Sequence, residues 1–136
     1  GRARGDKLVM KMQSDLGRVR GLGSAKSGSS HWWTQRVTAA ANLPLGIWFI
    51  LSILAGHTAD YDAVHAWLSS YFHSTMMILL IISVAVHFTH GLQVVIEDYV
   101  HNRKAEVISL MLIKAVAAFL SVAAIVSVLR IVFAGA

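Results

Sequence analysis

Long apolar runs separated by short polar ones dominate the chain, at about 37–56, 71–99 and 107–133. A hydrocarbon core about 30 Å thick needs roughly 20 mostly apolar residues in helical form. Each run reaches that length, so the pattern predicts an all-α integral membrane protein with three transmembrane helices. Pro44 lies inside the first run and should loosen one helical turn, which a neighbouring helix can satisfy. Trp32, Trp33, Trp67 and Tyr71 stand near the ends of runs, where aromatic belts form. Residues 1–30 carry no apolar period and end in a Gly/Ser-rich stretch, so they read as a flexible, basic tail ahead of a membrane domain over 31–136.

Composition agrees with this. The 136 residues are 56% hydrophobic, with a mean hydropathy of +0.61, above the usual soluble range. There is no cysteine, which excludes disulfides, thiol catalysis and iron-sulfur ligation by this chain. The tail lacks the apolar core of a signal peptide. The chain begins with Gly rather than Met, so processing or an incomplete tail is expected, with Met10 and Met12 as alternative starts.

Charge sets the expected topology. Eight of the twelve Lys/Arg, Arg36 the last of them, precede or open the first run, and Arg103 and Lys104 lie between the second and third. The loop between the first two runs has no Lys or Arg but carries Asp60 and Asp62. The positive-inside rule then places the N-terminus in the cytoplasm and the C-terminus outside. Beside three spans, a basic tail reads as a topology signal and a surface for anionic lipid, with no nucleic acid as partner. Lys114 and Arg130 lie near the ends of the third run, where they can snorkel.

The candidate chemistry is concentrated in His87-Phe-Thr-His-Gly-Leu-Gln-Val-Val-Ile-Glu-Asp98-Tyr99. An ionisable group inside a span is expensive and marks a functional site. Neutral imidazole is a ligand for iron. His87 and Asp98 lie about 20° apart in helical phase and ~16 Å apart along the axis, with Gly91 and Val94 on the same stripe. A glycine one turn from the histidine leaves room for a flat macrocycle, so His87 is a candidate haem ligand. The alternatives are a histidine bonded to a neighbouring helix or one lining a proton path. His73 shares the stripe approximately, but reads as an interfacial histidine in contact with water. His90 is off the stripe and reads as a packing or hydrogen-bonding residue, while His57, His65 and His101 fall in loops. The Tyr99 phenol can donate to a quinone carbonyl and the Asp98 carboxylate can relay protons; an ordinary belt tyrosine and a helix-end acid are the bland counterparts. Arg36 is expected at the same membrane level, able to pair with Asp98 or a haem propionate, and His31 is expected at that level too.

These residues resemble a known family. Ser27-Gly-Ser-Ser-His31-Trp-Trp-Thr-Gln-Arg36-Val-Thr-Ala39 is similar to the start of the first membrane helix of the small hydrophobic anchor of succinate dehydrogenase (complex II). His87-x3-Gly91-x-Gln93-x4-Asp98-Tyr99 resembles its second helix, and the likeness extends over about residues 21–136. The resemblance implies half of a two-subunit helical bundle that holds haem b. His87 would be the axial ligand from this chain, a second anchor would give the other, and Arg36 would lie near a propionate. It also implies a site for ubiquinone or another quinone, with Tyr99 as hydrogen-bond donor, Asp98 beside it and His31 in the vicinity. FAD and iron-sulfur clusters would belong to a flavoprotein and an iron-sulfur subunit, so this chain would catalyse nothing alone. His73 and His90 match no ligand position.

Rival readings each carry their own expectation. A fumarate reductase anchor shares the architecture with the reaction reversed. A stand-alone cytochrome b561-like carrier using His73 and His87 would hold two haems, and a channel or transporter component would hold none. The short basic tail leans towards a bacterial inner membrane rather than a mitochondrial one.

Overall fold

The computed structural model describes residues 22–134, so the basic tail through Gly21 lies outside the described residues. It contains four helices: α1 (Leu22–Leu54), α2 (Tyr61–Leu68), α3 (Tyr71–Tyr99) and α4 (Arg103–Ala134). Among the described residues there is no strand. Three helices, over Ser29–Leu54, Tyr71–Tyr99 and Arg103–Ala134, are long and apolar enough to cross a membrane. The all-helical, three-span expectation holds, and α3 has the predicted bounds.

Two differences concern elements. First, α1 begins at Leu22, inside the Gly/Ser-rich stretch expected to be extended. Extending an existing helix adds one hydrogen bond per residue fixed, whereas starting one is costly, so poor helix formers can join a long apolar helix. The chain divides at Thr34/Gln35 into two compact units. In the first, the Thr34 hydroxyl donates to the Ser30 carbonyl at 2.8 Å, and Trp32 and Trp33 meet edge-on at 5.1 Å.

Second, the loop between the first two spans contains α2. Asp60 caps it, accepting from the Ala63 amide at 2.8 Å, and Asp62 in the first turn suits the helix dipole. Val64, Trp67 and Leu68 share one face, and Trp67 and Leu68 are buried. This signal of an acidic cap before apolar residues at i, i+3 and i+4 was present in the sequence.

The turn after α1 is a Schellman motif. Gly56 has φ +87°, its amide donates to the Ile53 carbonyl at 3.0 Å, and the His57 amide donates to the Ser52 carbonyl at 3.2 Å. At the other connection, Asn102 caps α4 by accepting from the Lys104 amide at 3.0 Å.

Within the second unit, α3 runs antiparallel to α1. Thr38 lies opposite Ser83 and His87, while Trp48 lies opposite His73. The buried positions are Leu45, Trp67, Leu68 and Val128, with the serines Ser52, Ser74 and Ser83. Each serine hydroxyl donates to a backbone carbonyl, but only the Ser83 bond, to Thr38 at 3.3 Å, joins two helices. Most large apolar side chains are exposed, Leu43, Phe88, Met111, Phe119 and Phe133 among them. Such surfaces are stable against lipid or a partner helix, not against water. Lys114 and Arg130 are both exposed.

Candidate functional site

A polar seam joins α1 to the middle of α3. Gln35, Thr38, Asn42 and Leu45 follow one another at three- or four-residue steps, which puts them on one face of α1. Ser83, His87 and Gly91 do the same on α3. Thr38 is the meeting point: its hydroxyl lies 3.1 Å from His87 Nδ1 and 3.3 Å from the Gln35 carbonyl, to which it donates. Its carbonyl receives the Ser83 hydroxyl. His87 is half-buried, and its bond to Thr38 uses Nδ1, leaving Nε2 for another partner.

Two observations mark this seam as incomplete within one chain. A Cβ built at Gly91 meets nothing within 4 Å, so one turn beyond His87 the helix backbone borders open space. Gln35 Oε1 and Asn42 Oδ1 are buried with no hydrogen-bond partner among the described residues, a costly state unless something else supplies donors. An imidazole with one ring nitrogen held, a bare helix surface one turn away and orphaned acceptors nearby fit a bulky group with polar edges shared with another chain.

The remaining predicted site residues lie towards the end of α3. Asp98 and Tyr99 are its last two residues, both exposed, and the helix closes with the Val100 amide donating to Ile96 at 2.9 Å. Tyr99 is 78% exposed, which leaves its hydroxyl accessible to a ligand from outside the chain. Arg36 is exposed two residues before Thr38, on a different face of α1 from the seam. His31 belongs to the first compact unit and is exposed there. His90 is half-buried on α3. Sequence reasoning missed Thr38 and Ser83; their only sequence signal is that of hydroxyl residues on otherwise apolar helices, which does not identify a partner 45 or 49 positions away.

His73, expected at the interface, is half-buried in an aromatic cluster. Its ring packs against Phe72, Trp48, Trp67 and His57, with ring centres 5.4, 6.0, 5.8 and 6.4 Å away. Its Nδ1 is buried with no hydrogen-bond partner among the described residues. The cause is α2, which carries Trp67 inward to stack on Trp48 at 5.3 Å and 25°. A groove of about 540 Å³ borders this cluster along Pro44, Leu51, His57 and His73. A second groove, of about 350 Å³ between α3 and α4, is walled by Phe88, Leu92, Leu112, Val116 and Leu120, and its lining is almost wholly apolar.

The family described as succinate dehydrogenase/fumarate reductase transmembrane subunit matches residues 10–125. The chain belongs to this family. Among relatives, the succinate dehydrogenase membrane anchor subunit of Reclinomonas americana is 36% identical over 96 residues, covering 68% of this chain and 79% of that one. The hydrophobic membrane anchor subunit of Rickettsia bellii is 30% identical over 121 residues, covering 89% and 97%. That of Paracoccus denitrificans is 31% identical over 90 residues, covering 65% and 70%. No solved structure gives a significant match. Family membership accounts for the exposed apolar faces: a transmembrane subunit is built to be covered. It also removes the basis for reading the chain as a stand-alone carrier or a transporter component.

Proposed function

We propose that, as a membrane anchor subunit of succinate dehydrogenase, this chain holds haem b jointly with a second anchor and forms part of a quinone-reducing site. The observation that carries this reading is the state of His87, held at Nδ1 by Thr38 beside open space at Gly91. Its Nε2 would hold the haem iron from this chain, and the second anchor would supply a further ligand. Haem, when bound, supplies a one-electron store near the quinone. The orphaned oxygens of Gln35 and Asn42 would receive donors from that second anchor. Arg36, with its planar guanidinium, would pair with a propionate.

At the end of α3, the Tyr99 hydroxyl would donate to one quinone carbonyl and fix the ring. Quinone reduction consumes protons as well as electrons. Asp98, exposed beside Tyr99, would pass protons from the aqueous side. The iron-sulfur and flavoprotein subunits would carry the remaining electron carriers and the succinate site. The cytoplasmic membrane of a bacterium is the proposed location, with Tyr99 at its inner edge. The names of the relatives favour succinate oxidation over fumarate reduction as the working direction.

The test is a reduced-minus-oxidised visible spectrum of the detergent-solubilised complex, taken with dithionite and again with succinate. A b-type band that succinate reduces at least in part is expected; absence of any haem band would remove the role given to His87. For the quinone half, Tyr99→Phe should slow succinate-driven quinone reduction about ten-fold, the worth of one hydrogen bond of ~1.4 kcal/mol. Succinate oxidation by an artificial dye should be unchanged, and loss of both activities together would count against Tyr99.

A further inference from the structure

We propose that Thr38 is a positioning residue for His87, fixing which ring nitrogen carries the hydrogen; this rests on the reading of His87 as a haem ligand. A neutral imidazole has one N–H and one bare nitrogen, and only the bare nitrogen can bind iron. Two proton arrangements satisfy a contact of 3.1 Å between the Thr38 hydroxyl and His87 Nδ1. In one, the hydroxyl donates to a bare Nδ1, which leaves hydrogen on Nε2 and blocks that nitrogen as a ligand. In the other, Nδ1–H donates to the hydroxyl oxygen and Nε2 is bare.

The Gln35 carbonyl decides between them. A threonine hydroxyl has one hydrogen, and in a helix it is commonly given to a carbonyl three or four residues earlier. Thr38 Oγ1 lies 3.3 Å from the Gln35 carbonyl, in donating geometry. With its hydrogen there, Thr38 faces His87 as an acceptor, and Nδ1 must donate. Ser83 holds the arrangement in register: one turn before His87, its hydroxyl binds the Thr38 carbonyl at 3.3 Å. Thr38 is therefore gripped through both its backbone and its side chain, and the ring is aimed as well as protonated.

This is the outer-shell pattern that metal-bound histidines use, in which the second ring nitrogen donates to a fixed oxygen. Donation makes the imidazole a stronger base towards iron, which favours the ferric form and lowers the reduction potential. The resemblance assigns a role to His87 and Arg36; the hydroxyl between them in sequence, at Thr38, acts through the His87 ring.

The experiment compares Thr38→Val, Thr38→Ser and His87→Ala in the complex assembled with its partner subunits. The readouts are haem transfer to excess apomyoglobin and the haem midpoint potential. Thr38→Val should release haem roughly ten- to a hundred-fold faster and raise the potential, while Thr38→Ser keeps both near the parent values. Thr38→Ala replaces the valine variant if that one does not assemble. Parental behaviour of the valine or alanine variant overturns the inference. So does a serine variant as defective as valine, because the methyl group would then be the part that matters. If His87→Ala keeps the parental haem spectrum, the reading of His87 fails and this inference with it. If His87→Ala abolishes the spectrum while Thr38→Val changes nothing, only the role of Thr38 falls.

Discussion

His73 and His87 lie on the same helix, fourteen residues and about 40° of helical phase apart, so on nearly the same stripe. Their surroundings have little in common. His87 meets a hydroxyl at Nδ1 and lies one turn from open space. His73 packs against two indoles, a phenyl ring and a second imidazole beside an open groove, and its Nδ1 has no hydrogen-bond partner among the described residues. A stripe of histidines is thus a statement about phase, not about function. What separates a candidate ligand from a packing residue is the neighbour that holds the non-ligating nitrogen.

The sharpest way to break this comparison is to remove each ring in turn. His87→Ala should eliminate or grossly alter the b-type haem spectrum of the assembled complex. His73→Ala should leave that spectrum unchanged and cost only packing, about 1–2 kcal/mol of stability. Spectral change in the His73 variant would mean that spacing, not surroundings, was the better guide, and would revive a two-haem arrangement.

Much of this was legible in the sequence, and the illegible parts share a cause. α3 could be bounded because Ser69-Ser70 precede it and the polar run His101-Asn102-Arg103-Lys104 begins two residues after Tyr99, so composition changes sharply at both ends. His87, Asp98 and Tyr99 could be singled out because a polar group within or beside an apolar run is conspicuous. The early start of α1 was hidden, since Gly and Ser report weak intrinsic preference and not the pull of a helix already formed. Thr38 was hidden for another reason. Its significance lies in the register between α1 and α3, which one sequence does not encode locally. The aromatic packing of His73 was hidden because it depends on α2, a single amphipathic segment of eight residues.

The same dependence makes Trp67 the next test. It is 4% exposed and touches Trp48, His57 and His73 at once. Truncating a buried tryptophan removes about 3 kcal/mol or more. Trp67→Ala should therefore lower the thermal midpoint of the detergent-solubilised complex more than His73→Ala does. Its haem spectrum should stay parental, because His73 and His87 lie fourteen residues apart on α3, about 21 Å of helix axis. A lowered midpoint with a shifted haem band would show that the two regions are mechanically one.

Gly56 offers the mildest probe of whether they are separate. At φ +87° it sits where a Cβ is disfavoured by the backbone itself, although a Cβ there would meet no other atom within 4 Å. The cost of Gly56→Ala is therefore conformational rather than steric, about 1 kcal/mol. The strain falls on the residue before His57, whose ring stacks on Trp67 at 6.0 Å and 11°. Relaxing φ towards negative values would turn His57 off that stack and loosen the cluster from its edge. A small loss of thermal stability is expected, with haem spectrum and potential unaltered. A variant that instead changed the potential would transmit strain from the turn, along α1, to Thr38, and the contrast between the two histidines would then be one of degree.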